Sequence, residues 1–165
     1  MMQAIMKKIF GQTPIPPDLP ESEFNSFVEK AITNFEHGGF LEQTKLEPLA
    51  EGETDFLATL RAKREQLVIV KYWKHGCLPC LSMAEMYKEA EAKCAAEGLP
   101  VYFCSIDVKA KQCLPHVRFE NVEGTPTVKA FHRGCQLGDE ITSTSLPVFM
   151  EEVRKRLPGA APAEA

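Results

Sequence analysis

Five residues, Gly76-Cys77-Leu78-Pro79-Cys80, follow the apolar run Leu67-Val68-Ile69-Val70 at close range. That order limits what the chain can fold into. The run has strand length and is β-branched, so it reads as a buried strand over Leu67 to Trp73. After the second cysteine, Met83, Ala84, Tyr87, Ala90 and Cys94 share one face with Cys80 at helical spacing, and Gly98 is a stop signal. Two cysteines with two residues between them therefore sit where a strand hands over to a helix N-terminus. Unpaired N–H groups and the helix dipole favour an anion there, and a thiolate is an anion.

The rest of the chain extends this pattern. A helix is expected from about Thr54 to Glu65, ahead of the first strand. Val101 to Ile106 is a second strand rich in β-branched and aromatic residues. Lys109 to Arg118 reads as helix or turn broken by Pro115, Thr127 to His132 as a third strand, and Gln136 to Ile141 as a weak fourth after a Gly134 turn. A last helix starts near Ser145, turns Leu146, Phe149, Met150, Val153 and Leu157 inward, and stops at Pro158. Strands joined through a helix pair in parallel by a right-handed crossover, and strands joined by a tight turn form a hairpin. The expectation is an α/β fold, a mixed sheet flanked by helices on both faces, over residues 54–157. Residues 1–50 form an N-terminal extension and 158–165 a flexible tail.

Within the extension, Met1 to Phe10 is apolar and mildly basic, a pattern shared by an amphipathic docking segment and a mitochondrial targeting start. Pro14, Pro16, Pro17 and Pro20 make an extended linker. A helix is expected from Pro20 to Glu36, with Asp18 and Glu21 at capping-box spacing and Gly38-Gly39 as its end. Its stripe of Phe24, Phe27, Val28, Ala31, Ile32 and Phe35 needs a surface to cover it. Either the chain's own domain or a larger protein assembly would serve.

Composition closes off several classes. A net charge of −4 opposes general nucleic-acid binding, which needs a basic surface. No stretch approaches the roughly 20 apolar residues of a membrane span. The six cysteines are too sparse for a disulfide scaffold, and Cys94 and Cys104 fall at apolar positions where a reduced cysteine acts as a small hydrophobe. No secretory signal is visible, so the expected setting is an intracellular reducing compartment, cytoplasm or mitochondrion.

Three features coincide: Cys77-x-x-Cys80 between strand and helix, the aromatic pair Tyr72-Trp73 at the strand end, and Gly124-Thr125-Pro126-Thr127 entering a later strand. Together they resemble the thioredoxin superfamily over roughly residues 54 to 157. The resemblance implies a thiol-disulfide oxidoreductase with Cys77 as nucleophile and Cys80 as resolving thiol. It further implies a turn fixed by Pro79, a cis Thr125–Pro126 bond beside the cysteines, and a Thr125 backbone free to pair with an extended substrate. Trp73 would cover the site with its indole N–H near Asp107. No bound cofactor or metal is implied. The partners would be a protein disulfide substrate and a dithiol or reductase donor of electrons.

The chain departs from that pattern in its proton relay. Gly76 stands where thioredoxins usually have tryptophan, Leu78 where they have glycine, and Lys71 where they bury an acid; Phe103 stands in the second strand where a lysine partner would be. His75 is a candidate for lowering the pKa of Cys77. Two rival readings remain from the residues. Cys113-Leu114-Pro115-His116 echoes the first pair, and Cys77, Cys80, Cys113 and His116 are a conceivable tetrahedral zinc set. A non-catalytic accessory subunit, engaged through residues 1–50, is the other. Cys113 and Cys135 are also candidate regulatory thiols.

Overall fold

The computed structural model of the chain describes residues 2–40 and 53–159. The extension-to-domain boundary at 50–53 and the tail beyond 159 fall outside those residues, wholly or in part. The elements run α1 (Met2–Gln12), α2 (Glu21–Phe35), a π-helical turn (Glu36–Phe40), α3 (Glu53–Ala62), β1 (Leu67–Trp73), α4 (Leu78–Ala96) and β2 (Val101–Asp107). A 3-10 turn (Lys111–Cys113), α5 (Leu114–Phe119), β3 (Thr127–His132), β4 (Cys135–Gln136) and α6 (Leu146–Lys155) complete the order.

The sheet order is β2-β1-β3-β4. β1 and β2 are parallel, as the intervening α4 requires, and β3 is antiparallel to both β1 and β4. β1 is central and buried along nearly its whole length. Alternation sends Leu67 and Ile69 to one core with Tyr87, Ala90 and Phe149, and Val68, Val70 and Tyr72 to the other with Phe56, Ile106 and Val117. The two cores are the two helix layers of the mixed sheet. Each fully buried Val, Leu or Ile contributes on the order of 1.5–3 kcal/mol relative to exposure.

Three local expectations are corrected. Pro115 does not break its segment; it lies in the first turn of α5, where its missing N–H has no intrahelical partner to lose. The fourth strand is confined to Cys135–Gln136, although Leu137 and Ile141 still donate their N–H groups to Ala130 and Val128. Gly138, at φ +67°, turns the chain out of strand geometry between them. The capping box of Asp18 and Glu21 is not made, because Pro20 in extended geometry is the N-cap and starts α2 at Glu21. Glu21 and Glu23 instead complement the helix dipole.

The two N-terminal helices form a third cluster. Ile5 and Ile9 of α1 meet Ala31, Ile32 and Phe35 of α2, Phe40 of the π turn, and Leu81 and Ala84 of α4. The ammonium of Lys8 pairs with Glu85 of α4. The apolar stripe of α2 is thus covered only over its C-terminal half, and Phe24 is 44% exposed. α2 ends at Phe35, within a residue of the expected end, and Gly38-Gly39 fall inside the π turn that carries the chain on to Phe40, whose ring lies 4.6 Å from that of Phe35.

Candidate active site

β1 ends at Trp73, and Lys74-His75-Gly76 then turns the chain into α4. Gly76 stands at φ +75°, a conformation that glycine adopts without strain. This accounts for a glycine directly before the first cysteine. Cys77 is the N-cap of α4, and Pro79 lies in the first turn. The Cα atoms of Cys77 and Cys80 are 5.2 Å apart, with the two sulfurs at disulfide distance. The N–H of Cys80 donates to Cys77 Sγ at 3.2 Å, so an orphan donor of the helix start is aimed at that sulfur.

The Thr125–Pro126 bond is cis, as the resemblance implies. Thr125 faces the first cysteine: its hydroxyl donates toward Cys77 Sγ at 3.5 Å, and its carbonyl oxygen is 3.7 Å from the same sulfur. The chain therefore brings Cys77, Cys80, Pro79, Thr125 and Pro126 to one place. Trp73 and Asp107 are register partners at the ends of β1 and β2. The described contacts of the Asp107 carboxylate run to the N–H of Lys109 at 2.9 Å and to His75 Nε2 at 3.9 Å rather than to the indole. The Trp73 ring meets the His75 ring edge-on, centroids 4.8 Å apart.

Lys71 lies on the α4 side of β1. It is 6% exposed, and its Nζ donates to the Cys80 carbonyl at 3.1 Å and lies 5.7 Å from the centre of the Tyr87 ring. Burial holds the ammonium down, to about 8. Near that pH a lysine both gives and takes a proton, which a lysine at its ordinary value does not.

One group beside the site was not foreseen. Glu36, from the π turn, is 4% exposed, accepts the N–H of Gly76 at 2.9 Å, and has its other oxygen 3.3 Å from His75 Nδ1. No local pattern marks it, since its partners lie about forty residues away; only its place beside Gly38-Gly39 in a distorted helix end hints at it.

The remaining cysteines are set apart. Cys94 and Cys104 are buried as expected, and burial pushes the Cys94 thiol up to about 11. Cys135 is exposed and Cys113 is buried. The zinc alternative is overturned. His116 is held by the hydroxyl of Tyr72 at 2.9 Å and by the ring of Phe56 at 4.1 Å, in the core on the far face of the sheet. Among the described residues no three His, Cys, Asp or Glu side chains gather as metal ligands would. No helix among them is long and apolar enough to cross a membrane.

Among solved structures, a Schistosoma mansoni thioredoxin superposes with a TM-score of 0.55 at 24% identity, over 69% of this chain and 97% of that one. A Fasciola hepatica thioredoxin gives 0.54 at 20% identity, over 66% and 96%. Spinach chloroplast thioredoxin f gives 0.52 at 22%, over 62% and 86%. At such identities the likeness shows the fold. No curated protein matches the chain by sequence. The sequence model of the family described as Thioredoxin matches residues 48–153. Since that match takes in the whole sheet and well over half of the chain, the chain belongs to the thioredoxin family.

Proposed function

We propose that the chain is a protein-disulfide oxidoreductase working through Cys77 and Cys80. The observation that carries this reading is the aim of the Cys80 N–H and the Thr125 hydroxyl at one sulfur, that of Cys77. Donors directed at a sulfur favour its thiolate, and the helix N-terminus adds to them.

In the reducing direction the Cys77 thiolate attacks one sulfur of a substrate disulfide. The substrate S–S bond breaks, a Cys77–substrate bond forms, and the first substrate sulfur leaves as a thiolate that takes up a proton. Cys80 loses its proton and attacks Cys77 Sγ; the mixed disulfide breaks and the second substrate thiolate leaves. The substrate gains two electrons, and the Cys77–Cys80 pair ends as a disulfide. An external dithiol or reductase returns the electrons. Lys71, joined to the Cys80 carbonyl, is suited to take the Cys80 proton when neutral. Thr125 and Pro126 shape the groove for an extended substrate, Pro79 fixes the turn, and Trp73 with Asp107 walls the site.

The test is reduction of insulin or a small aromatic disulfide by the wild type and by Cys77→Ser. A loss of at least a hundredfold in the variant is expected. Equal rates would remove Cys77 from the chemistry and favour the non-catalytic accessory subunit.

A further inference from the structure

Resting on the reading of Cys77 and Cys80 as a redox pair, we propose that Glu36 of the N-terminal arm is a positioning residue for the nucleophile. It holds the His75-Gly76 turn so that Cys77 is presented as the N-cap of α4.

Four observations converge. The carboxylate is almost wholly buried, a costly location unless its oxygens are engaged, and both are: one by the Gly76 N–H, the other beside His75 Nδ1. The bonded N–H belongs to the residue directly before Cys77, a glycine in the left-handed region. His75 is braced from the other side by Asp107 and by the edge of Trp73, so Glu36 closes a ring of contacts around the turn. Glu36 also opens a π-helical turn, a rare distortion that recurs at functional sites. The distortion is anchored by Phe40 against Phe35, and the arm by Ile5 and Ile9 against Leu81, the residue after Cys80, and Ala84, one turn beyond it. The arm is thereby part of the site's architecture.

The consequence concerns the reactivity of Cys77. Its thiolate depends on the Cys80 N–H and the Thr125 hydroxyl meeting the sulfur. When the turn before it is loosened, those donors are met for less of the time, the thiolate is less favoured, and the disulfide form gains relative to the dithiol. A buried carboxylate acting on the thiolate by charge alone would have the opposite sign, since its removal would favour the thiolate. The two accounts are therefore separable.

The experiment uses the full chain carrying Cys135→Ser, with Glu36→Ala and Glu36→Gln, and Glu29→Ala on the exposed face of α2 as control. Two quantities are read: the alkylation rate of Cys77 in the reduced protein at pH 7, mapped by mass spectrometry, and the equilibrium of the pair with glutathione. Glu36→Ala is expected to slow alkylation about tenfold and to shift the equilibrium about tenfold toward the disulfide, about 30 mV for a two-electron couple. Glu36→Gln keeps an acceptor for Gly76 and is expected within about threefold of the parent. Unchanged values in Glu36→Ala, any acceleration of alkylation in Glu36→Ala, or alkylation more than about threefold faster in Glu36→Gln overturn the proposal. Should Glu36→Ala not fold, amide exchange at Gly76 in the parent decides: protection of at least tenfold over an open chain is expected, and its absence overturns the proposal. Neither readout needs disulfide reductase activity, so an inactive parent would sink the proposed function without touching this inference.

Discussion

Lys71 reaches across from the central strand to the carbonyl of Cys80, 3.1 Å away, with burial holding its ammonium to about 8. In the unfolded chain the same lysine holds its proton up to about 10.5. Below pH 8 both states carry the proton and the cost of the buried charge is present in full. Between about 8 and 10.5 the unfolded state binds more protons, so stability rises with pH. Lys71→Met removes that rise, roughly 3 kcal/mol at most, and stabilises the fold at pH 7. Urea denaturation of both proteins at pH 7 and pH 10 checks this; parallel pH profiles would refute it.

His116 works over a lower range. Its burial, aided by the nearby Lys129, lowers its pKa to about 4 from 6.5. Its contribution is fully present above pH 6.5 and is lost as pH falls toward 4, because only the unfolded chain then takes the proton. The double variant His116→Phe with Tyr72→Phe removes the buried imidazole and its hydroxyl partner together. Its stability should fall less steeply than that of the wild type between pH 6.5 and pH 4, by about 2–3 kcal/mol over the interval.

Thr125→Val keeps the side-chain shape while deleting the hydroxyl that faces Cys77 Sγ at 3.5 Å. One hydrogen bond to a thiolate is worth about 1 kcal/mol, so alkylation of Cys77 at pH 7 should slow by about threefold to tenfold, with Tm little changed. An unaltered rate would take Thr125 out of thiolate stabilisation.

Tyr87 lies wholly inside the core, and its hydroxyl is shared between the carbonyl oxygens of Ile69 and Cys104 at 3.1 Å each. It ties the central strand to its parallel neighbour. Tyr87→Phe should destabilise by about 1–3 kcal/mol, read from the midpoint of chemical denaturation, with the redox pair unaffected.

Much of this was legible in the chain because it rests on local periodicity. The run from Leu67 to Trp73 is buried on both faces and forms the central strand, and the residues from Cys80 to Cys94 share one helix face. Gly124-Thr125-Pro126 was tied to the cysteines by resemblance, and the sheet brings them together. The unread parts depend on partners distant in sequence. Phe24 and Phe35 occupy the same stripe, yet only the second is buried, because α2 meets the rest of the molecule only at its end. Glu36 is the helix terminus the sequence predicts, but its role as a buried anchor was not legible, since Gly76, which it binds, lies forty positions on.

The cluster that seats the N-terminal arm has one further consequence, for biosynthesis. Lys8 and Glu85 are 77 positions apart, and Ile5 and Ile9 lack their full cover until Leu81 and Ala84 are present. A ribosome therefore exposes the apolar faces of two amphipathic helices before the segment that shelters them emerges. Through that interval the nascent chain presents an uncovered apolar face of the kind chaperones bind.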